Sequence, residues 1–437
     1  MDRRNQTLSV TEREWCVRKA GKEDFPAVVE VVAEALLIPD DPEDAFERQS
    51  PVKAEIDYDR LLLAAESAPE GADDERVVGR ERVIGSAGVY PFHMTLPGGI
   101  RPVAGVSGVG VWPTRRRRGV LTALMRRQLA DIRDRGEKVA VLWASEGAIY
   151  GRFGYGPATD EYETSLAVHH ARLRPDAPRD PTLVTELVRV PRARADLERV
   201  HAAEADRRVG ALRRSPLWWD RFLRDTPADR GGKGPLKAVV VSGTDGPRGY
   251  ALYRTVNKWV AGGPACELHV REIVSLTPAA RTALYDHLFS RDLVTRAVFA
   301  SVALDDPLRY LLADPHRLVT RLDDALWLRL VDLPGALGER SYAAPVDTVL
   351  RVADAHAPWN AGLWRLRADR DGATCEPVDS DPDLTLDVSH LGAVHLGAHT
   401  LAARLRAGLI TEHTPGAAAR FDAALALPEA ALCGQGF

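Results

Sequence analysis

The spacing of apolar residues changes period repeatedly along the first third of the chain, and each change marks an element. From Trp15 the pattern "WCVRK" alternates as a short strand; after a turn, Val28, Val32, Ala35 and Leu36 recur at helical intervals. Alternation returns over "RVIGSAGVYPFHMTL" (82–96) and "IRPVAGVSGVGVWP" (100–113), which predict two strands. Leu121, Leu124, Met125, Leu129 and Ile132 then share one face of a helix, and "KVAVLWAS" (138–145) reads as a further strand. Residues 39 to 59 are acidic and loop-like, and "ESAPEGADDE" (66–75) is a polar turn region. The order strand, helix, strand, strand, helix, strand predicts an α/β unit of roughly 150 residues.

The middle third is punctuated by proline and charge. Within it, "PLKAVVVSGTDGPRGYALYRTVNKWV" and "ACELHVREIVSL" form a meander of strands, followed by a helix from about Thr277 to Leu288 and a strand at "RAVFASVAL". This succession echoes the later half of the first unit. The last third opens on "DALWLRLVDLPGAL" and is expected to continue as strands through "DLTLDVSHLGAVHLGA". It closes with helical runs at "TLAARLRAGLI" and "ARFDAALAL". It reads as a third module that mixes α and β.

A chain of 437 residues with 45% hydrophobic positions can fill two or three cores. Its formal net charge of -4 gives no electrostatic footprint for nucleic acid. Cys16, Cys266, Cys375 and Cys433 lack CxxC spacing, and no His and Cys cluster has zinc-ligand intervals, so neither a disulfide framework nor a metal site is expected. They read as reduced thiols of a cytoplasmic protein. The N-terminus lacks an apolar signal region and no run approaches the roughly 18 apolar residues of a spanning helix, so neither secretion nor membrane insertion is expected. His93, His390, His395 and His399 carry no carboxylate or metal motif and receive no role.

Against this acidic background the four consecutive arginines Arg115 to Arg118 stand out. An arginine run by itself is an ordinary solvated surface. This one lies between an alternating strand and an amphipathic helix, where unpaired backbone N–H groups and the positive helix end converge, and that is a site suited to phosphate or pyrophosphate. Gly119 lets the backbone approach a ligand without a Cβ in the way.

The spacing Arg116-x-x-Gly119-x-Leu121 resembles the acyl-CoA pyrophosphate loop of the GCN5-related (GNAT) N-acetyltransferases, with Leu121 departing from the glycine or alanine of that pattern. The wider segments "GVSGVGVWPTRRRRGVLTALMRRQLADIRDRG" and "ASEGAIYGRFGYGPAT" are similar to the Eis (enhanced intracellular survival) family. The resemblance covers nearly the whole chain. It implies two tandem GNAT-like α/β domains, over 1–172 and 173–322, the second without cofactor, and a C-terminal sterol-carrier-like α/β domain over 323–437. It implies acetyl-CoA as co-substrate and no metal. Val109, Gly110 and Val111 would offer strand backbone groups to the pantetheine amides. Arg117, Arg118, Gly119, Val120, Leu121 and Thr122 would hold the pyrophosphate, and Ser145 with Glu146 would line the pantetheine path.

Moving an acetyl group from a thioester to an amine requires an unprotonated amine, a polarised carbonyl and a proton for the departing thiolate. The resemblance implies Tyr150 of "YGRFGYG" as the general acid, a phenol with a reference pKa of about 10 that is protonated at neutral pH; Tyr155 reads as structural. It implies the main-chain carboxylate of Phe437 as the base. With a reference pKa near 3.3–3.7 such a group is expected to orient and relay rather than to deprotonate an ammonium alone. Gly436 stands where an acidic residue can precede that phenylalanine in the family.

Implied acceptors are small-molecule amines of aminoglycosides and similar cations, with Phe46 and Ser107 lining their pocket. Gly108 stands where family members can carry a bulky residue, so a roomy pocket is expected. The acidic segment Asp40 to Glu47 could draw in polyamines. The implied assembly is a homo-hexamer, a dimer of trimers. Two other readings stay open: a protein or peptide lysine acetyltransferase, and a lipid or small-molecule binding protein with a vestigial first domain.

Overall fold

The computed structural model describes residues 14–38, 57–71 and 74–437. The chain forms two compact units, one within Met1–Tyr90 and Val106–Asp131, the other comprising Pro91–Gly105 and Ile132–Phe437.

In the first unit, β1 (Trp15–Lys19) pairs antiparallel with β2 (Leu62–Ser67), from Trp15 against Glu66 to Lys19 against Leu62. A two-residue strand, β3 (Val77–Val78), pairs with the start of β4 (Glu81–Leu96). On its other edge β4 pairs antiparallel with β2, shifted by a bulge at Ala64 and Ala65. The next neighbour of β4 in the sheet is β5 (Gly99–Val111). Side chains alternate across the sheet as strand geometry requires. Leu61, Leu63 and Val83 face α1 (Phe25–Leu36), packing on Phe25, Val28 and Val31. Leu62, Ala64, Ile84 and Ala87 face the opposite way and bury Val120 and Leu124 of α2 (Val120–Asp134). Burying a leucine of this kind contributes about 1.5–3 kcal/mol.

In the second unit, β6 (Val139–Trp143) runs parallel to β5, with Ala104 opposite Ala140 and Gly105 opposite Val141. The strand Leu326–Leu330 joins the far edge of β6 antiparallel and also takes the short strand Gly156–Pro157. A seven-stranded sheet follows in the order Val319–Asp324, Asp160–Ala167, Val294–Val302, Cys266–Ser275, Gly246–Val256, Lys237–Gly243, Val184–Val188. The parallel pair Cys266–Ser275 and Val294–Val302 is joined by the helix Pro278–Phe289, the same strand–helix–strand succession as β5, α2 and β6. That helix covers one face through Leu284 and Leu288. The helix Val190–Ala205 covers the other through Ala193, Leu197 and Val200. A five-stranded sheet and the helices Val388–Val394, Leu401–Arg406 and Ala417–Leu425 complete the chain.

Two departures from the sequence pattern have clear causes. Expected as strand, "VSHLGAV" is a helix, because the Asp387 side chain caps it by accepting from the Ser389 N–H at 2.9 Å while Val388, Leu391 and Val394 are buried on helical spacing. The helices Val190–Ala205 and Pro216–Leu223 lie in the proline-rich middle third; their prolines stand in the first turn, where a missing N–H breaks no helical bond. Among the described residues no helix is long and apolar enough to cross a membrane.

Candidate active site

The arginine run sits on the turn between β5 and α2, and its members have different surroundings. Arg115 is fixed by Glu66, which accepts its Nε at 2.9 Å and Nη2 at 2.7 Å. This pairing is the leading cause of a Glu66 pKa below the ordinary carboxylate value. Arg116, Arg117, Arg118 and Gly119 are exposed, and among the described residues none of the three arginines has an ion-pair partner. Arg117 adopts φ +63° and Gly119 φ +80°, so left-handed residues flank Arg118. A non-glycine residue in that region is uncommon and strained, and such geometry concentrates where a loop's shape is used. A Cβ built on Gly119 meets nothing within 4 Å, leaving open space beside the backbone. The first helical bond is Ala123 N to Gly119 O at 3.0 Å, so the N–H groups of Val120, Leu121 and Thr122 precede the helical ladder and are available to an anion.

Upstream on β5, Val109 and Val111 pack on the α2-side core, and Gly110 lies beneath α1, where a Cβ would come within 2.9 Å of the Ala35 Cβ. Ser107 is half-buried on the same strand. Gly108 turns through φ +61° with its carbonyl accepting from Ser86 Oγ at 2.7 Å, a local irregularity in the strand. These backbone groups and the arginine turn suit a chain of amides ending in a pyrophosphate. Phe46 and the acidic segment Asp40 to Glu47 lie outside the described residues.

In the second unit, exposed Ser145 and Glu146 follow β6, and Glu146 stands at the N-terminus of the short helix Gly147–Tyr150. Tyr150 is 7% exposed, and its ring meets Tyr155 edge-on with centroids 6.2 Å apart. Burial raises the Tyr150 phenol above its ordinary value, opposed by a hydrogen bond with Ser145, while the Glu146 charge adds to the rise. The phenol is therefore protonated at neutral pH. Tyr155 is fully buried and, among the described residues, its hydroxyl has no hydrogen-bond partner, which fits a packing role.

The final residues enter the same unit. Cys433 and Gln435 are buried; the Gln435 carbonyl accepts from Trp143 Nε1 at 3.0 Å and its side-chain oxygen accepts from Arg214 Nε at 2.9 Å. The Phe437 ring packs edge-on against Phe92 with centroids 4.9 Å apart, and Phe92 in turn lies 5.1 Å from Trp218. A Cβ built on Gly105 of β5 lies 2.4 Å from Phe92 and 3.3 Å from Phe437, so glycine at 105 makes room for both rings. Ser145, Glu146, Tyr150 and Phe437 thus share the second unit, whereas Ser107, Val109 to Val111 and Arg117 to Thr122 belong to the first. Sequence reasoning missed Phe92, Trp218, Arg214 and Gln435, none of which stands in a motif.

A family model described as an acetyltransferase (GNAT) domain matches residues 16–158, a second model of the same description matches 210–330, and a sterol carrier protein domain matches 333–434. An uncharacterized N-acetyltransferase of Streptomyces avermitilis is 39% identical over 375 residues, covering 82% of this chain and 91% of its own. N-acetyltransferase Eis of Mycobacterium tuberculosis is 35% identical over 351 residues, covering 79% and 83%. Among solved structures, Eis1 of Mycobacterium abscessus superposes with a TM-score of 0.79 at 31% identity, over 97% of this chain and all of that one.

Proposed function

Because the chain belongs to the Eis-like N-acetyltransferases of the GNAT superfamily, we propose that it transfers the acetyl group of acetyl-CoA to amines of cationic small molecules, aminoglycosides among them. The observation that carries this reading is the exposed turn Arg116 to Gly119, left-handed at Arg117 and Gly119, at the head of a 15-residue helix, with cations and N–H groups that precede the helical ladder at one point. Bound acetyl-CoA supplies a thioester carbonyl. In this reading Arg117, Arg118 and the backbone from Gly119 to Thr122 hold its pyrophosphate, Val109, Gly110 and Val111 its pantetheine amides, and Ser145 and Glu146 line the path. Tyr150 donates its phenolic proton to the departing thiolate. The Phe437 carboxylate orients the acceptor amine and relays its proton, while Ser107 and Phe46 shape the acceptor pocket. The further expectations of a homo-hexamer and a cytoplasmic location belong to the same proposal.

The test is thiol release from acetyl-CoA by protein without a C-terminal tag, offered aminoglycosides, polyamines and lysine peptides in parallel. Aminoglycoside turnover with acetyl groups counted by mass supports the proposal. Turnover on lysine peptides alone would move the substrate to proteins. Turnover on none, with lipid retained by the purified protein, would favour the binding reading.

A further inference from the structure

The segment Glu429–Phe437 is held by a chain of contacts, exposed at Glu429 and buried at Gln435, whose other members come from remote parts of the second unit. At one end Tyr250 donates its hydroxyl to Glu272 at 2.5 Å, and Glu272 accepts from Arg214 Nη2 at 2.6 Å and Nη1 at 3.1 Å. The Arg214 side chain is 1% exposed, and its guanidinium lies 3.8 Å over the Phe222 ring. Its Nε, which carries a single N–H, donates to Gln435 Oε1 at 2.9 Å. The opposite side of Gln435 is fixed through its carbonyl, which accepts from Trp143 Nε1 at 3.0 Å on β6.

The approach of the segment is prepared further back. Gly210 takes φ +89°, and a Cβ there would lie 3.2 Å from three backbone atoms of Leu432. Leu432 N donates to Val209 O at 3.0 Å, Ala430 N donates to Asp305 at 2.8 Å, and Glu429 pairs with Arg207. An ordinary chain end frays unless it is tied down. Here Gln435, two residues before Phe437, is held on one side by Arg214, itself paired with Glu272, and on the other by Trp143 of β6.

We propose that Arg214 and Gln435 are positioning residues for catalysis: the ion pair of the seven-stranded sheet locks Gln435, and Gln435 with Trp143 aims the Phe437 carboxylate. This rests on the reading of that carboxylate as base. The sheet that carries no assigned chemistry thereby acts on the reaction as a clamp. A displacement of about 1 Å in a reacting group lowers rate on the order of 10²-fold, so loosening the clamp acts on turnover rather than on the coenzyme turn.

The experiment compares Gln435→Ala, Trp143→Phe and a protein extended by one alanine after Phe437, each measured for kcat, acetyl-CoA KM and thermal midpoint. Trp143→Phe keeps an aromatic ring, smaller than the indole, and removes the Nε1 donor, so it serves where Gln435→Ala is poorly folded. The clamp predicts a fall in kcat of about 10- to 100-fold in both substitutions with acetyl-CoA KM within about twofold. It also predicts that Gln435→Ala loses little further activity when placed in the extended protein, because both changes act on one group. If the extension abolishes turnover while both substitutions leave kcat within about twofold, the clamp is wrong and the base reading stands. If the extension leaves turnover intact, the base reading fails and the clamp with it.

Discussion

Replacing Tyr150 by phenylalanine separates chemistry from packing. The phenylalanine ring keeps the edge-on contact with Tyr155, so the core around it is conserved. What is lost is the oxygen and its hydrogen bond with Ser145, an exposed residue that water can satisfy, and the cost to folding is under about 1.5 kcal/mol. The cost to the reaction is larger if the phenol protonates the thiolate, because general acid catalysis contributes about 10²–10⁴-fold, or roughly 2.7–5.4 kcal/mol of barrier. Burial holds the phenol pKa above its ordinary value, so the wild-type rate is not expected to fall through phenol ionisation on the alkaline side up to about pH 10. The assay is steady-state thiol release from acetyl-CoA over pH 6 to about 10 for both proteins, with a thermal melt of each. The expected result is a kcat lowered at least about 100-fold at an unchanged acetyl-CoA KM and a melting point within a few degrees. A variant that keeps kcat within about threefold, at equal stability, would remove Tyr150 from the proton path.

Three further outcomes follow from particular contacts. Arg117→Ala combined with Arg118→Ala should weaken acetyl-CoA binding by at least about tenfold, since charge-assisted contacts contribute about 1.5–3 kcal/mol each, and leave the melting point unchanged because both side chains are exposed; isothermal titration reads it. Asp354→Ala should destabilise the fold by about 3–5 kcal/mol in denaturant titration, because it strands the fully buried Arg329 guanidinium and removes the acceptor of the His356 and Ala357 N–H groups. Burial, helped by Arg340, pushes the His395 pKa down to about 3. The unfolded chain, near 6.5, therefore binds more protons between those values, and stability is lost as pH falls below about 6.5, at up to ~1.4 kcal/mol per pH unit. His395→Gln should show a smaller loss of stability between pH 7 and 5 than the parent, and an equal loss would refute the assignment.

Much of this was legible in the chain because the signals were local. The strand–turn–helix holding Arg115 to Arg118 is written in adjacent residues: alternation to Val111, a glycine at 119, an apolar face from Val120 onward. Which arginine is structural was not, since Arg115 is fixed by Glu66, 49 residues away on β2. Strand β2 itself, "LLAAES", is too short and too uniformly apolar in its first half to show alternation, and it is buried on both faces there. The helix at Val388 carries too little period to distinguish itself from strand, because seven residues with apolar positions at 388, 391 and 394 barely complete two turns. The phenylalanine at 437 and the tyrosine at 150 drew their roles from family resemblance. Their surroundings, Phe92, Trp218 and Arg214, come from pairings across long sequence separations that no local period encodes.

The measurement that tests the central claim most directly is thiol release by protein without a C-terminal tag, with acetyl-CoA and a panel of aminoglycosides and other amines, the products weighed by mass spectrometry. The account predicts thiol release that depends on the amine and a product heavier by whole acetyl groups. Coenzyme hydrolysis at the same rate with and without amine, and no acetylated product from any amine of the panel, would contradict it.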